Sequence, residues 1–150
     1  AWFNRANAYL FLGKVDQALK DLNRAIKLDP GFAAAYNNRG QIKLNSEKYN
    51  EAILDLGLAI SIEPQLMSAY KNRAKALFEL AEYEMAVVDI NKSLVLGSRD
   101  GNILKLRGEC YFNLGFFSAA LDDLIMAQEL GIQIDEALIE ACKKSLSSTN

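Results

Sequence analysis

Arginine returns at a fixed step of 34 residues, at Arg5, Arg39, Arg73 and Arg107. Aspartate keeps the same step at Asp21, Asp55, Asp89 and Asp123, and alanine at Ala18, Ala52, Ala86 and Ala120. A fixed period of this length means one supersecondary unit stacked repeatedly, here four times. Such a stack offers a surface that holds something. The period alone does not say what.

Further columns define the unit. A large residue opens each copy (Trp2, Tyr36, Tyr70, Leu104), and a small one follows four positions later (Ala6, Gly40, Ala74, Gly108). Leu22, Leu56, Ile90 and Leu124 form another column, then Ala25, Ala59, Ser93 and Ala127, then Leu28, Ile62, Leu96 and Leu130. Spacings of three and four make both segments of each copy helical. The small residues matter because two helices approach to about 8–9 Å only where their contact points lack bulk. Asp29-Pro30 and Glu63-Pro64 stop the first two copies, since proline cannot continue a helix. Leu96-Gly97 and Leu130-Gly131 end the others, where glycine can take a left-handed cap. Turns within the copies fall near Gly13-Lys14, Glu47-Lys48, Ala81-Glu82 and Gly115-Phe116. The expected helices span about 1–12, 16–29, 34–46, 50–63, 67–80, 84–96, 102–114, 118–130 and 135–146.

These columns resemble the tetratricopeptide repeat, whose period is the same. The resemblance covers the chain in register apart from the last helix. Lys43 and Leu77 depart from it, standing where the family usually has the aromatic kept at Tyr9 and Tyr111. It implies an all-α fold, a right-handed α-solenoid of four antiparallel hairpins within one domain, 1–150, with copies at about 1–32, 33–66, 67–100 and 101–134. First helices would line a concave groove and second helices the convex back. One hairpin cannot bury its apolar face alone, whereas stacked ones share a continuous core. Residues 135–146 read as a capping helix, with Leu138, Ile139 and Cys142 covering the last hairpin and Glu136, Glu140, Lys143 and Lys144 in water. Ser145 to Asn150 read as a frayed tail.

Composition removes several function classes. A net charge of −2 gives no bulk drive toward nucleic acid or an anionic membrane. No apolar run reaches the roughly 18 residues a membrane-spanning helix needs. Histidine is absent, which removes the commonest acid/base group and metal ligand. Cys110 and Cys142 sit among apolar neighbours and read as buried thiols. Gly97-Ser98-Arg99-Asp100-Gly101 is a polar turn and no phosphate loop. Asp122 and Asp123, adjacent on a helix, point about 100° apart and do not converge. No catalytic group, cofactor or metal site is expected. A chain that opens at Ala1 inside a repeat, without a start methionine, reads as a piece of a longer one.

The arginine and aspartate columns lie at matching levels of an antiparallel hairpin. Ladder-like pairs between Arg5, Arg39, Arg73 and Arg107 and Asp21, Asp55, Asp89 and Asp123 are expected, within a hairpin or to the next one, because a planar guanidinium suits a bidentate carboxylate. The alternative is that the arginines grip an acidic ligand. Recurrence in every copy favours stacking.

Mapped onto the family, the groove would be lined by Phe3, Asn4, Asn7, Leu10 and Phe11, then Asn37, Asn38, Gln41, Leu44 and Asn45. Lys71, Asn72, Lys75, Phe78 and Glu79 follow in copy three, with Asn102, Lys105, Leu106, Glu109, Phe112 and Asn113 in copy four. Asn4, Asn38 and Asn72 form a column, broken at Leu106. An amide side chain can satisfy both groups of a peptide bond, so such a ladder would hold an extended backbone with little regard for its side chains. This is similar to the asparagine ladder of the O-linked N-acetylglucosamine transferase family. A second family mode, the clamp for chaperone tails, needs cations where this chain has Phe3, Ser68 and Asn72, although Asn7 and Asn38 fit its asparagine places. Chaperone-tail binding is therefore rejected. The first helices carry eight basic and two acidic residues, and Lys71, Lys75 and Lys105 would favour an acidic partner segment. On the back, Leu54, Leu58 and Val88 should project outward, and a contiguous patch there would make a homodimer. The function so implied is binding of an extended peptide or partner segment, as an adaptor or scaffold. A regulatory or targeting region of a larger enzyme and a self-assembling scaffold are the alternatives.

Overall fold

The computed structural model describes residues 1–148, and its regular structure there is entirely helical. In chain order the helices are α1 Trp2–Phe11, α2 Val15–Leu28, α3 Ala33–Asn45, α4 Tyr49–Ile62, α5 Met67–Glu79, α6 Tyr83–Val95, α7 Gly101–Asn113, α8 Phe117–Glu129 and α9 Glu136–Ser147. Each boundary lies within about one residue of the expected one. The tail is the exception: Ser145 to Ser147 form the last turn of α9, and Ser148 follows as its cap. Thr149 and Asn150 lie outside the described residues.

The turns explain why the boundaries are legible. Gly13, Glu47, Ala81 and Gly115 form one column, and each takes a left-handed φ of 69°, 59°, 59° and 80°. The following amide then reaches back to a carbonyl five residues earlier: Lys14 to Tyr9 at 2.8 Å, Lys48 to Lys43 at 2.9 Å, Glu82 to Leu77 at 2.9 Å and Phe116 to Tyr111 at 2.8 Å. This closes each first helix with a Schellman geometry. Gly97 and Gly131 do the same for α6 and α8. Asp100 and Asp135 cap α7 and α9 by accepting from Asn102 N and Ala137 N.

Two compact units divide the chain, residues 1–76 and 77–150. In the first, α1 packs on α2, α2 on α3, and α3 on α4. Ala6, Ala18, Leu22, Ala25, Ala35 and Ile42 form one buried cluster, and Ala52, Leu56, Ala59, Ala69 and Ala76 another. The small-residue column works here by absence of bulk: a β-carbon on Gly40 would sit 2.7 Å from Leu56 Cγ. In the second unit α6 packs on α7, α7 on α8, and α8 on α9. Leu104, Ala120, Leu124, Ala127, Ile134, Ile139 and Cys142 form its core. Ser93, which replaces the alanine of its column, is fully buried and satisfies its hydroxyl by donating to Ile90 O at 2.8 Å. The last apolar column differs from the others. Leu28 and Ile62, the last residues of α2 and α4, and Leu130, the cap of α8, are exposed.

Candidate functional site

The first unit carries a continuous series of hydrogen-bonded amides. Asn72 Nδ2 on α5 donates to Asn37 Oδ1 on α3 at 3.2 Å. Asn37 Nδ2 donates to Asn38 Oδ1 at 3.3 Å, and Asn38 Nδ2 donates to Asn7 Oδ1 on α1 at 2.8 Å. The series joins first helices of three successive copies. It corrects one expectation. Asn37 and Asn72, expected to line an open groove, are buried at 7% exposure each. The bonded partners are also offset from the repeat step, 31 residues apart for Asn7–Asn38 and 35 for Asn37–Asn72. Against the step of 34 the first pair falls three residues short and the second one residue beyond, so the bonded asparagines do not stand in one column. What remains for a guest is at the outer end: Asn7 is exposed and its Nδ2 still offers both hydrogens, and Asn38, half-buried, keeps one.

Other expected groove residues fall as follows. Asn4, Gln41 and Lys75 are exposed, and Lys71 is half-buried. Phe3 is half-buried, with its ring 4.6 Å from that of Phe32. In the second unit Phe78 packs edge-on against Tyr83 at 5.5 Å, and Phe112 does the same with Phe117 at 5.6 Å, so these rings staple helix turns. Phe11 stands one position out of their column and is 92% exposed. Lys105 Nζ donates to Gln133 O at 3.4 Å and lies 4.0 Å from Glu109, which draws its charge back onto its own unit.

Arginine–aspartate forks brace the hairpins. Arg5 donates to Asp21 at 2.6 and 2.8 Å, Arg39 to Asp55 at 2.8 and 2.7 Å, and Arg107 to Asp123 at 2.6 and 2.7 Å. Two of these arginines also reach the preceding hairpin: Arg39 Nη1 donates to Asn23 at 2.7 Å and Arg107 Nη1 to Asn91 at 2.6 Å. Sequence reasoning passed over both asparagines. They share a column with Gly57 and Ile125, which hides the pattern, although Gly57 stands beside the Arg73 guanidinium. Lys43, one of the eight basic residues of the first helices, has its ammonium 2.9 Å from Asp55 Oδ2. Arg73 lies 6.0 Å over the Tyr70 ring, and Asp89 is buried.

The charges respond to this packing. The fork from Arg5 holds Asp21 below the usual carboxylate range. Burial pushes Asp55 upward, but hydrogen bonds from Arg39 and Lys43 outweigh it and leave the carboxyl lowered. Glu109 is raised, chiefly by burial, with Lys105 opposing. Burial, together with the Glu109 charge, pushes the Cys110 thiol up to about 12. Among the described residues no cluster could hold a metal ion, and no helix is long and apolar enough to cross a membrane.

Two family models, both described as tetratricopeptide repeat, match residues 1–32 and 22–54. No curated protein matches the chain. Among solved structures, the first TPR of Spaghetti (RPAP3) bound to the HSP90 peptide SRMEEVD superposes with a TM-score of 0.73 at 24% identity, covering 76% of this chain and 90% of that one. A MamA protein gives 0.85 at 16% identity, covering 97% and 81%. A tetratricopeptide repeat protein from Parabacteroides merdae gives 0.79 at 23% identity, covering 95% of this chain and 59% of its own. At these identities the likeness is one of fold.

Proposed function

We propose that this chain, whose residues 1–32 and 22–54 match tetratricopeptide-repeat models, is an interaction module that holds an extended peptide segment along the first-helix face of residues 1–76, as an adaptor or scaffold. One observation carries this reading. The amide series from Asn72 to Asn7 is fixed by its own bonds and ends in unspent N–H donors at Asn7 and Asn38. Donors already held in place lose little freedom on meeting a carbonyl, and that preorganisation favours binding. Asn4, Gln41 and Lys75 add exposed polar groups on the same three helices. Lys75 would bias the choice toward acidic segments by steering rather than by contact energy.

The peptide seen with the Spaghetti (RPAP3) repeat makes a useful contrast. Its acidic end calls for a clamp of cations, and the corresponding places here hold Phe3, Ser68 and Asn72. Phe3 is committed to Phe32 and Asn72 to Asn37. SRMEEVD should therefore not bind.

The test is selection from a displayed random-peptide library, followed by fluorescence anisotropy of the selected peptides. An Asn4→Ala, Asn7→Ala, Gln41→Ala variant should weaken them about tenfold or more, a loss of roughly 1.4 kcal/mol. These positions are exposed, so the variant should remain folded and lose only the Asn38–Asn7 bond, about 1 kcal/mol. Unchanged affinity in the folded variant would place the binding surface elsewhere.

A further inference from the structure

The arginine column is stacked unevenly. Arg5 lies between two rings, Trp2 at 4.7 Å and Tyr9 at 5.8 Å from its Cζ. Arg107 has Tyr111 at 5.8 Å. Tyr9 and Tyr111 share a column, four residues after their arginines. Copy two keeps the first ring, Tyr36 at 5.5 Å from Arg39, but has Lys43 where the second would stand.

Lys43 does not fill that place. Its ammonium turns to Asp55 at 2.9 Å and Glu51 at 3.5 Å. Beside it opens a cleft of ≈360 Å³, walled by Leu19 and Asn23 of α2, Arg39, Ile42 and Lys43 of α3, the caps Ser46 and Lys48, and Glu51 of α4. All of these residues belong to the first unit.

The chemistry of the cleft selects its occupant. Arg39 has committed Nε and Nη2 to Asp55 and Nη1 to Asn23, so its edge offers no fork to an incoming anion. Lys43 is likewise drawn to Asp55 and Glu51, which offset its charge, so Lys48 at the rim is left to face Glu51 and the cleft carries mixed charge. Tyr36 lies over one face of the guanidinium at 5.5 Å, and the face opposite, where Arg39 lines the cleft, is the one that can attract a second π system. Leu19 supplies an apolar wall.

We propose that this cleft receives an aromatic side chain, tyrosine or phenylalanine, from a partner polypeptide. The guest ring stacks on Arg39 as Tyr9 and Tyr111 stack on Arg5 and Arg107 within the chain. The site does not depend on the amide face.

The experiment is a heteronuclear NMR titration of the whole chain with N-acetyl-tyrosinamide, N-acetyl-phenylalaninamide and N-acetyl-leucinamide. Both aromatic probes should shift the amides of Leu19, Asn23, Ser46 and Glu51, and the leucine probe should bind about fivefold more weakly. Lys43→Tyr should abolish these shifts, because the ring native to that column fills the cleft from within. Ser46→Trp, at an exposed rim position, should do the same if Lys43→Tyr fails to fold. Unaltered tyrosinamide binding in the folded filling variant overturns the proposal. So does a leucine probe that binds as well as the aromatic ones, or the absence of shifts up to the solubility limit.

Discussion

Asn38 donates a hydrogen bond to the side-chain oxygen of Asn7 at 2.8 Å, across 31 residues of sequence. With Asn37 and Asn72 it makes the first helices of three copies share polar side chains as well as apolar ones. Asparagine is a poor helix former, so four of them on these helices are explained by what they bond to.

Breaking that series at its buried middle should be costly. Asn37→Ala removes two hydrogen bonds and leaves the Asn72 amide unmatched in a buried position, at a cost of about 2 kcal/mol. Urea unfolding followed by circular dichroism measures it. Asn4→Ala, at an exposed position, should stay within about 0.5 kcal/mol of the parent.

The Arg39–Asp55 fork should dominate the electrostatic stability of the first unit. Arg39→Ala leaves Asp55 with Lys43 alone and strands Asn23, costing about 2–4 kcal/mol in the same assay. Arg5→Ala should cost less, because the Arg5 side chain is 54% exposed against 20% for Arg39.

Acid should reveal the aspartates. Asp55 and Asp21 are held below their ordinary values, so the unfolded chain binds protons that the folded chain refuses. Their contribution is present above the unfolded value of about 4 and disappears as pH falls through the lowered folded values. The stability gap between the parent and Asp55→Asn should therefore be widest near neutrality and close below about pH 4. A gap independent of pH would show that the Asp55 charge contributes nothing.

Two turns are occupied by the wrong residue for their conformation. Glu47 and Ala81 hold a φ of 59° in the column where Gly13 and Gly115 stand. Glu47→Gly and Ala81→Gly should each stabilise by about 0.5–1 kcal/mol, and Gly115→Ala should destabilise by about 1 kcal/mol. Thermal unfolding of the three variants gives the sign directly.

Buried thiols supply a fourth readout. Cys110, with its pKa pushed up to about 12, and Cys142, also raised by burial, should not react with a thiol reagent at pH 8 in the native protein. Both should react fully in urea. Labelling under native conditions would mean that α7 or α9 opens readily.

The helices, turns and core columns were legible because each rests on spacing, and spacing survives in a single sequence. Ala18 and Leu22 are fully buried for the same reason that Ala120 and Leu124 are. The candidate site was harder to read. Reading by column links Asn4, Asn38 and Asn72, whereas contacts between copies follow the offset of packed helices and link Asn7 to Asn38 and Asn37 to Asn72. Lys43 departs from the family's aromatic, and nothing in its neighbours along the chain reveals that Asp55 receives it. Asn23 and Asn91 were missed because their column alternates with Gly57 and Ile125.

The amide series has a polarity. Every member passes its donor the same way, from α5 through α3 to α1, and the run terminates in the unspent hydrogens of Asn7. Hydrogen bonds in such a line strengthen one another. If a guest carbonyl is captured at Asn7 as proposed, the same line would carry its polarisation back through α3 to Asn72 on α5.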